Sequence, residues 1–406
     1  MQRTFKSTKS QSELLPSNIF GSGGYKLKQM NKVKTAIVGC GGISDIFFRN
    51  FTDRFEIIDL VKCCSRGKAS ADKEAQQYGI ESSTLDDILA DPEIELIVNL
   101  TPPGEHYSVI KAALEAGKHV FTEKTITTDV DQTKELIELA KEKGLYFGCE
   151  PDHFLGSSWQ CAREYIDGGI IGDVTSAVVS VSQNYGAVAE RIRFASQKGG
   201  GPGYDFGIYL VTQLVCLLGP AKEVCGVMMT QKPERIHGDL KHPDFGKSYI
   251  YTNEDLATAS IIFDSGAVAV IHISGNSILE GPSPFLIYGT TGVLSLPLGA
   301  TFSGDMQLYR PGSFQPVTVL PAHGFDHDSR GAGAVELAWA LRLGRKPRAG
   351  ADLGLHCQEI LYGIEQSFKT RSFYQMTTSV SRPSPLPKGH RGLPGFCFPE
   401  ESSLVL

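Results

Sequence analysis

Thr35-Ala36-Ile37-Val38-Gly39-Cys40-Gly41-Gly42-Ile43-Ser44 is the segment on which the fold turns. An apolar run runs straight into clustered glycines, and a helical pattern, Ile43–Phe51, begins at once. Gly39 permits a tight turn, and Gly41 lets backbone approach a pyrophosphate. Gly42 and Ile43 open the helix, and Ser44 is the small residue needed where helix packs close to strand. A helix starting here presents unbonded N–H groups and its positive dipole end to an anion. A glycine cluster alone equally suits a structural turn. Strand, turn and helix in that order make it a dinucleotide fingerprint.

Outward from this segment, β-branched runs alternate with amphipathic stretches. Lys34–Val38, Glu56–Cys63, Leu96–Leu100, His119–Phe121 and Tyr146–Gly148 read as strands. Lys68–Tyr78, Glu105–Ala116 and Val130–Lys143 read as helices. The alternation predicts a parallel sheet covered on both faces.

The second half changes character. Helices are predicted at Trp159–Asp167, Tyr204–Leu218, Gly331–Leu343 and Leu353–Lys369. Between them lie strands at Val174–Gln183, Glu223–Met229, Leu256–Phe263, Val268–Ser274, Phe285–Tyr288 and Gly292–Leu296. Consecutive strands with turns such as Asp264-Ser265-Gly266 predict a mostly antiparallel sheet with helices on one face. The fold class is therefore α/β: an N-terminal Rossmann dinucleotide-binding domain plus a C-terminal α+β domain with a large, mostly antiparallel sheet. The expected divisions are an N-terminal arm (1–31), the Rossmann domain (32–152), a substrate and oligomerisation domain (153–387) and a tail (388–406). The proline-rich stretch after Val380 is expected to lie along the surface without joining a core.

Composition narrows the class. Among 406 residues, 41% are hydrophobic and 21% charged, with a net charge of −6 and scattered basic residues, so no nucleic-acid surface is expected. Nine cysteines without a CxxC pair read as reduced thiols of a cytoplasmic protein. No apolar run reaches the ~20 residues of a membrane span.

An NAD site carries an acidic residue about twenty positions past the glycine turn. Here the second strand ends in Cys64-Ser65-Arg66-Gly67-Lys68. A hydroxyl and two cations suit a 2′-phosphate, so the cofactor is NAD or NADP with the balance toward NADP. The plainer reading is that Arg66 and Lys68 simply start an exposed helix.

Three further phrases carry a resemblance: Thr101-Pro102-Pro103-Gly104-Glu105-His106, Phe121-Thr122-Glu123-Lys124-Thr125, and Gly199-Gly200-Gly201-Pro202-Gly203-Tyr204-Asp205-Phe206-Gly207-Ile208-Tyr209. With Pro151-Asp152-His153-Phe154-Leu155-Gly156, Ile287–Gly292 and Arg330–Gly333, they resemble the glucose–fructose oxidoreductase/inositol dehydrogenase/MocA family from about Lys32 to Pro387. The resemblance implies hydride transfer between nicotinamide and a secondary alcohol or lactol carbon of a sugar, cyclitol or glycoside. It places the family lysine on Lys124, its aspartate on Asp205 and its proton-transfer residue on Tyr209. Thr101, Pro102, His106, Glu123 and Lys124 then line the cofactor, and His153 joins Asp205 and Tyr209 toward substrate.

Asp205 and Tyr209 are four residues apart, which on one helix puts both on one face. A nearby Lys124 ammonium is expected to draw the Tyr209 phenol down toward working pH. The plainer reading makes Tyr209 a core aromatic and Asp205 a helix-start acid. Thr125 stands where the family has proline, so a trans Lys124–Thr125 peptide is expected, a cis bond before a non-proline costing ~2.5–4 kcal/mol. His237, His242 and Asp326-His327-Asp328 complete no metal-binding spacing, and no metal is expected. A homodimer or homotetramer is expected from the broad sheet face. Two other functions fit the scaffold: a non-catalytic dinucleotide sensor or structural subunit, and a Rossmann enzyme of another chemistry, such as biliverdin reduction or dihydrodiol oxidation.

Overall fold

A computed structural model describes residues 31–277, 283–313 and 315–387. The expected arm (1–31, apart from Asn31) and tail (388–406) lie outside the described residues.

The first sheet grows from β1 (Val33–Val38), which is followed by α1 (Ser44–Asp53), β2 (Ile58–Cys64) and α2 (Lys68–Tyr78). The short β3 (Glu81–Ser82) and α3 (Leu85–Ala90) come next. Then follow β4 (Leu96–Asn99), α4 (His106–Glu115), β5 (His119–Thr122), α5 (Val130–Glu142) and β6 (Phe147–Cys149). All pairings are parallel, in the order β3-β2-β1-β4-β5-β6. This is the doubly wound dinucleotide arrangement, in which ligands sit beyond the strands' C-terminal ends. Apolar side chains of β1, β4, β5, α4 and α5 form its core. β3 and α3 escaped the sequence pattern because each is so short. The start of α3 is nevertheless marked by Thr84, whose hydroxyl accepts from the Asp87 N–H at 3.1 Å.

The chain then passes through α6 (Ser157–Asp167), β7 (Val174–Ser182), α7 (Tyr185–Arg191), α8 (Pro202–Asp205) and α9 (Gly207–Leu218). Strands β8 (Ala221–Met229), β9 (Glu234–Ile236), β10 (Ser248–Ile250), β11 (Leu256–Phe263) and β12 (Val268–Ser274) follow. After them come β13 (Phe285–Gly289), β14 (Val293–Leu296), β15 (Met306–Tyr309), β16 (Val317–Val319), α10 (Ala332–Leu343), α11 (Ala351–Thr370) and β17 (Tyr374–Gln375). Nine strands form one sheet, in the order β16-β15-β14-β13-β7-β12-β11-β8-β17. Its pairings are antiparallel except β7 with β12, which run parallel across the middle. β9 and β10 form a separate hairpin. Helices α6, α9 and α11 pack on the large sheet, while α10 and α11 also reach β6 of the first sheet. Every residue of α9 except Tyr209 is buried, as an all-round apolar helix requires.

Three expectations need correction. The single helix predicted over Tyr204–Leu218 is two, broken at Phe206. The break coincides with a long-range contact: the Asp205 carbonyl accepts from Lys124 Nζ at 3.2 Å, a partner outside the helix. The stretch Asn184–Lys198, where the sequence pattern places no helix, contains α7, capped by Asn184. The tail after Val380 does join the core: Val380 and Leu386 are buried. Backbone contacts hold it there. Arg348 donates to the carbonyls of Ser384 (2.8 Å) and Pro385 (3.2 Å), and the Leu386 N–H donates to Gln160 Oε1 (2.7 Å). Among the described residues the cysteines are free thiols, and no helix is long and apolar enough to cross a membrane.

Candidate active site

The glycine turn closes at the C-terminal end of β1. Gly39 has φ +108°, and a Cβ there would stand 2.7 Å from the Leu100 carbonyl carbon, so close strand approach requires glycine. Gly41 and Gly42 differ: a Cβ on either would meet no atom within 4 Å. Nothing in the protein's own packing explains their missing side chains, and the open space over them suits a phosphate. Ser44 Oγ donates to the Gly41 carbonyl at 2.7 Å, pinning the turn to the start of α1. Gly41, Gly42 and Ile43 are exposed at that helix end. Ser65 is half-buried after β2, and the Arg66 side chain is 87% exposed with only a loose approach to Glu105 at 3.9 Å.

Thr101 and Pro102 follow β4. The Thr101 hydroxyl donates to Asn99 Oδ1 at 2.7 Å, and Pro102 is exposed. His106 is fully buried; its Nδ1 lies 2.7 Å from the Thr125 carbonyl and its Nε2 2.7 Å from the Thr101 carbonyl. Burial pulls this ring below its ordinary pKa, outweighing the two carbonyls that favour a second proton. His106 thereby ties the Thr101 turn to the segment carrying Lys124.

The Lys124–Thr125 peptide is cis, against the trans expectation. Thr125 is buried, its carbonyl is engaged by His106, and the Lys124 N–H donates to Glu123 Oε2 at 3.0 Å. The burial of Thr125 and the His106 contact, from 19 residues away, override the local preference. Burial raises the Glu123 carboxyl above its usual range, with Lys124 opposing.

Lys124 reaches across to α8. Its ammonium forms an ion pair with Asp205 Oδ1 and stands 5.0 Å from the centroid of the Tyr209 ring. Burial works against the ammonium, yet Asp205, Tyr209 and Glu123 hold its pKa above the ordinary lysine value. Lys124 is therefore a fixed cation. Tyr209 follows the break, so Asp205 and Tyr209 are brought together by a two-helix corner rather than one continuous helix face. Burial pushes the Tyr209 phenol up to about 12, more than Lys124 pulls it down. The expectation of a phenol drawn toward neutral pH is thus reversed, because desolvation outweighs one ammonium already engaged by Asp205.

His153 is buried edge-on to Tyr209, with ring centroids 5.0 Å apart, and lies 4.4 Å from Phe302. Its pKa falls well below the ordinary value through burial. Tyr185 was missed by sequence reading. Its buried hydroxyl donates to the Gly200 carbonyl at 2.6 Å and faces Asp205 Oδ2 at 3.1 Å. The signal available was the Asn184 cap and the glycine run it contacts, neither of which names a partner 20 residues away.

Two sequence profiles match this chain. One, described as an oxidoreductase family with an NAD-binding Rossmann fold, covers residues 33–150. The other, the GFO/IDH/MocA C-terminal domain, covers residues 159–295. The chain belongs to the GFO/IDH/MocA oxidoreductase family. Similar proteins include an uncharacterised oxidoreductase from Schizosaccharomyces pombe, 30% identical over 50% of this chain and 56% of that one. Another is the scyllo-inositol 2-dehydrogenase (NADP(+)) of Bacillus subtilis, 26% identical over 54% of this chain and 62% of its own. The chain thus matches little more than half the length of these relatives. Among solved structures, levoglucosan dehydrogenase with NADH and L-sorbose superposes with a TM-score of 0.75 at 20% identity, over 86% of this chain and 99% of that one. That likeness supports the fold: this family member has the same Rossmann and broad-sheet architecture.

Proposed function

We propose that this chain is a nicotinamide-dependent oxidoreductase. It moves a hydride between the cofactor and a secondary hydroxyl or carbonyl carbon of a sugar, cyclitol or glycoside. The meeting of Lys124, just after β5, with Asp205 of α8 and Tyr209 of α9 supports this reading best. Names of relatives point the same way: they include scyllo-inositol, D-glucoside and levoglucosan dehydrogenases.

Gly39, Gly41, Gly42, Ile43, Ser65, Arg66, Thr101, Pro102, Glu123 and Lys124 would hold the dinucleotide, with His106 bracing the last group. When bound, the nicotinamide supplies or accepts the hydride. Tyr209, a phenol at neutral pH, donates a proton to the oxygen of a carbonyl being reduced and recovers it when an alcohol is oxidised. Lys124 stabilises negative charge on Tyr209 oxygen as the proton leaves. Asp205 holds Lys124 and offers an acceptor to a substrate hydroxyl, and His153 supports the Tyr209 ring. The exposed Arg66 favours a 2′-phosphate, hence NADP.

Lys124→Ala and Tyr209→Phe are each expected to lower turnover at least ~10²-fold on a panel of cyclitols and glycosides. Near-parent turnover in both would overturn the assignment.

A further inference from the structure

Against the Tyr209 ring lies a group of side chains of which the hydride-transfer reading uses only His153. Glu150, Asp152 and His153 follow β6 directly and are 3%, 0% and 1% exposed. One oxygen from each carboxyl and one ring nitrogen lie within 4.8 Å of one another. Three atoms here have no hydrogen-bond partner: Glu150 Oε1, Asp152 Oδ1 and His153 Nδ1. The remaining carboxyl oxygens are occupied. Glu150 Oε2 accepts from the Asp152 N–H at 2.7 Å, and Asp152 Oδ2 accepts from the Gly333 N–H at 2.8 Å.

Leaving three buried polar atoms without partners is costly, roughly 1–3 kcal/mol for each neutral group and more for charged ones. Arg330 is a neighbouring cation, but it is ion-paired with Asp328 at 2.5 Å. We propose that Glu150, Asp152 and His153 bind a divalent first-row transition ion between the two acceptor oxygens and the imidazole nitrogen.

The donor set is apt, because two carboxylates and one imidazole match Mn²⁺ or Zn²⁺ better than the all-oxygen preference of Ca²⁺ or Mg²⁺. The distances are compatible. Ligands about 2.1 Å from a tetrahedral ion stand roughly 3.4 Å apart, and His153 Nδ1 is already 3.7 Å from Asp152 Oδ1. Bound there, the ion fixes the His153 ring that packs on Tyr209 and ties it to the segment that follows β6.

A second cluster, His237, His242 and Asp244, makes a useful control. Its two imidazoles stack at 3.9 Å with planes 9° apart, so their lone pairs run side by side instead of converging. His242 Nδ1 accepts from the Asp244 N–H, and Asp244 Oδ1 is taken by Lys247.

The probe is Mn²⁺ alone, added to the chelator-treated full chain and followed by electron paramagnetic resonance. One ion per chain is expected, with nitrogen modulation from a single imidazole. Glu150→Gln and Asp152→Asn should each weaken binding at least ~10-fold, while His242→Ala leaves it unchanged. Absence of binding, or bound Mn²⁺ without nitrogen coupling, overturns the proposal. Equal affinity in the two carboxyl variants does so too, and then a proton shared between the carboxyls occupies the place of the ion. The parent spectrum decides the matter even if a variant does not fold, and it is independent of hydride transfer.

Discussion

Asp205 divides its carboxylate between two elements: Oδ1 pairs with the Lys124 ammonium from the first sheet, and Oδ2 faces the Tyr185 hydroxyl at 3.1 Å. One carboxylate thus orients the cation beneath Tyr209 and anchors to the start of α7. Asp205→Asn leaves Lys124 buried without its counter-charge, a loss of about 3–5 kcal/mol in comparable pairs. Turnover should fall with it. Tyr185→Phe removes only the brace, and its expected cost is about 1 kcal/mol with turnover lowered several-fold. Urea melts and steady-state rates on the two variants check the order. Equal effects would mean that Asp205 is not the hub.

The two kinds of glycine in the nucleotide turn separate in the same way. Gly39→Ala places a Cβ against the Leu100 backbone at positive φ, so it should destabilise by at least about 1 kcal/mol. Gly41→Ala meets no protein atom. Its stability should stay within roughly 0.5 kcal/mol of the parent while dinucleotide affinity falls tenfold or more, about 1.4 kcal/mol. Paired melting and cofactor-fluorescence titrations distinguish them.

What the sequence carried was local. The ends of α2, β11 and β12 were legible to the residue: β11 and β12 alternate inward and outward positions beside turns, and α2 stands between Gly67 and Gly79. Lys124, Asp205 and Tyr209 were visible as motif residues, and they do meet. The break at Phe206 was hidden because the contact that coincides with it, Lys124 on the Asp205 carbonyl, comes from 81 residues away. The upward shift of Tyr209 was hidden for a related reason: desolvation is set by how the two halves close, not by neighbours in the chain. Tyr185 and the burial of Leu386 likewise depend on partners distant in sequence.

Arg66 bears on cofactor choice. Its exposed guanidinium meets Glu105 only at 3.9 Å, so it is available for a phosphate. A charge-assisted contact is worth about 1.5–3 kcal/mol, so Arg66→Glu should lower catalytic efficiency with NADP by roughly 10- to 100-fold and spare NAD. An unchanged efficiency ratio between the two cofactors would count against a 2′-phosphate site here.

Acid should act through His356. Its Nε2 accepts from the Ala221 N–H at 2.9 Å and its Nδ1 lies 2.9 Å from Thr378 Oγ1, an arrangement for the neutral ring. Burial lowers its pKa, with Glu359 and Asp264 opposing. The unfolded chain, with an imidazole pKa near ~6.5, therefore binds more protons, and stability declines as pH drops below that value. Comparing unfolding free energy at pH 7.5 and 5.5, His356→Gln should show a smaller difference than the parent. An identical difference would place the acid sensitivity elsewhere.

The outer face of the large sheet bears on assembly. Val270 of β12 pairs in register with Val178 of β7, and both are substantially exposed, at 43% and 38%. Around them Ser176, Ser180, Val268, His272, Thr258, Ser260, Ile262, Cys225, Val227 and Met229 extend the face, with Glu223, opposite Ile262 and bonded to Gln375, at its margin. A surface whose charge is confined to its margin has little like-charge penalty against its own copy at the centre, which suits a two-fold interface. We therefore expect a second copy of this chain to cover it. Val178→Asp with Val270→Asp puts four carboxylates at the centre of such an interface, and repulsion plus desolvation should dissociate it. Light scattering should then report a lower mass for the double variant than for the parent, with circular dichroism unchanged. Equal masses would leave this face outside any assembly.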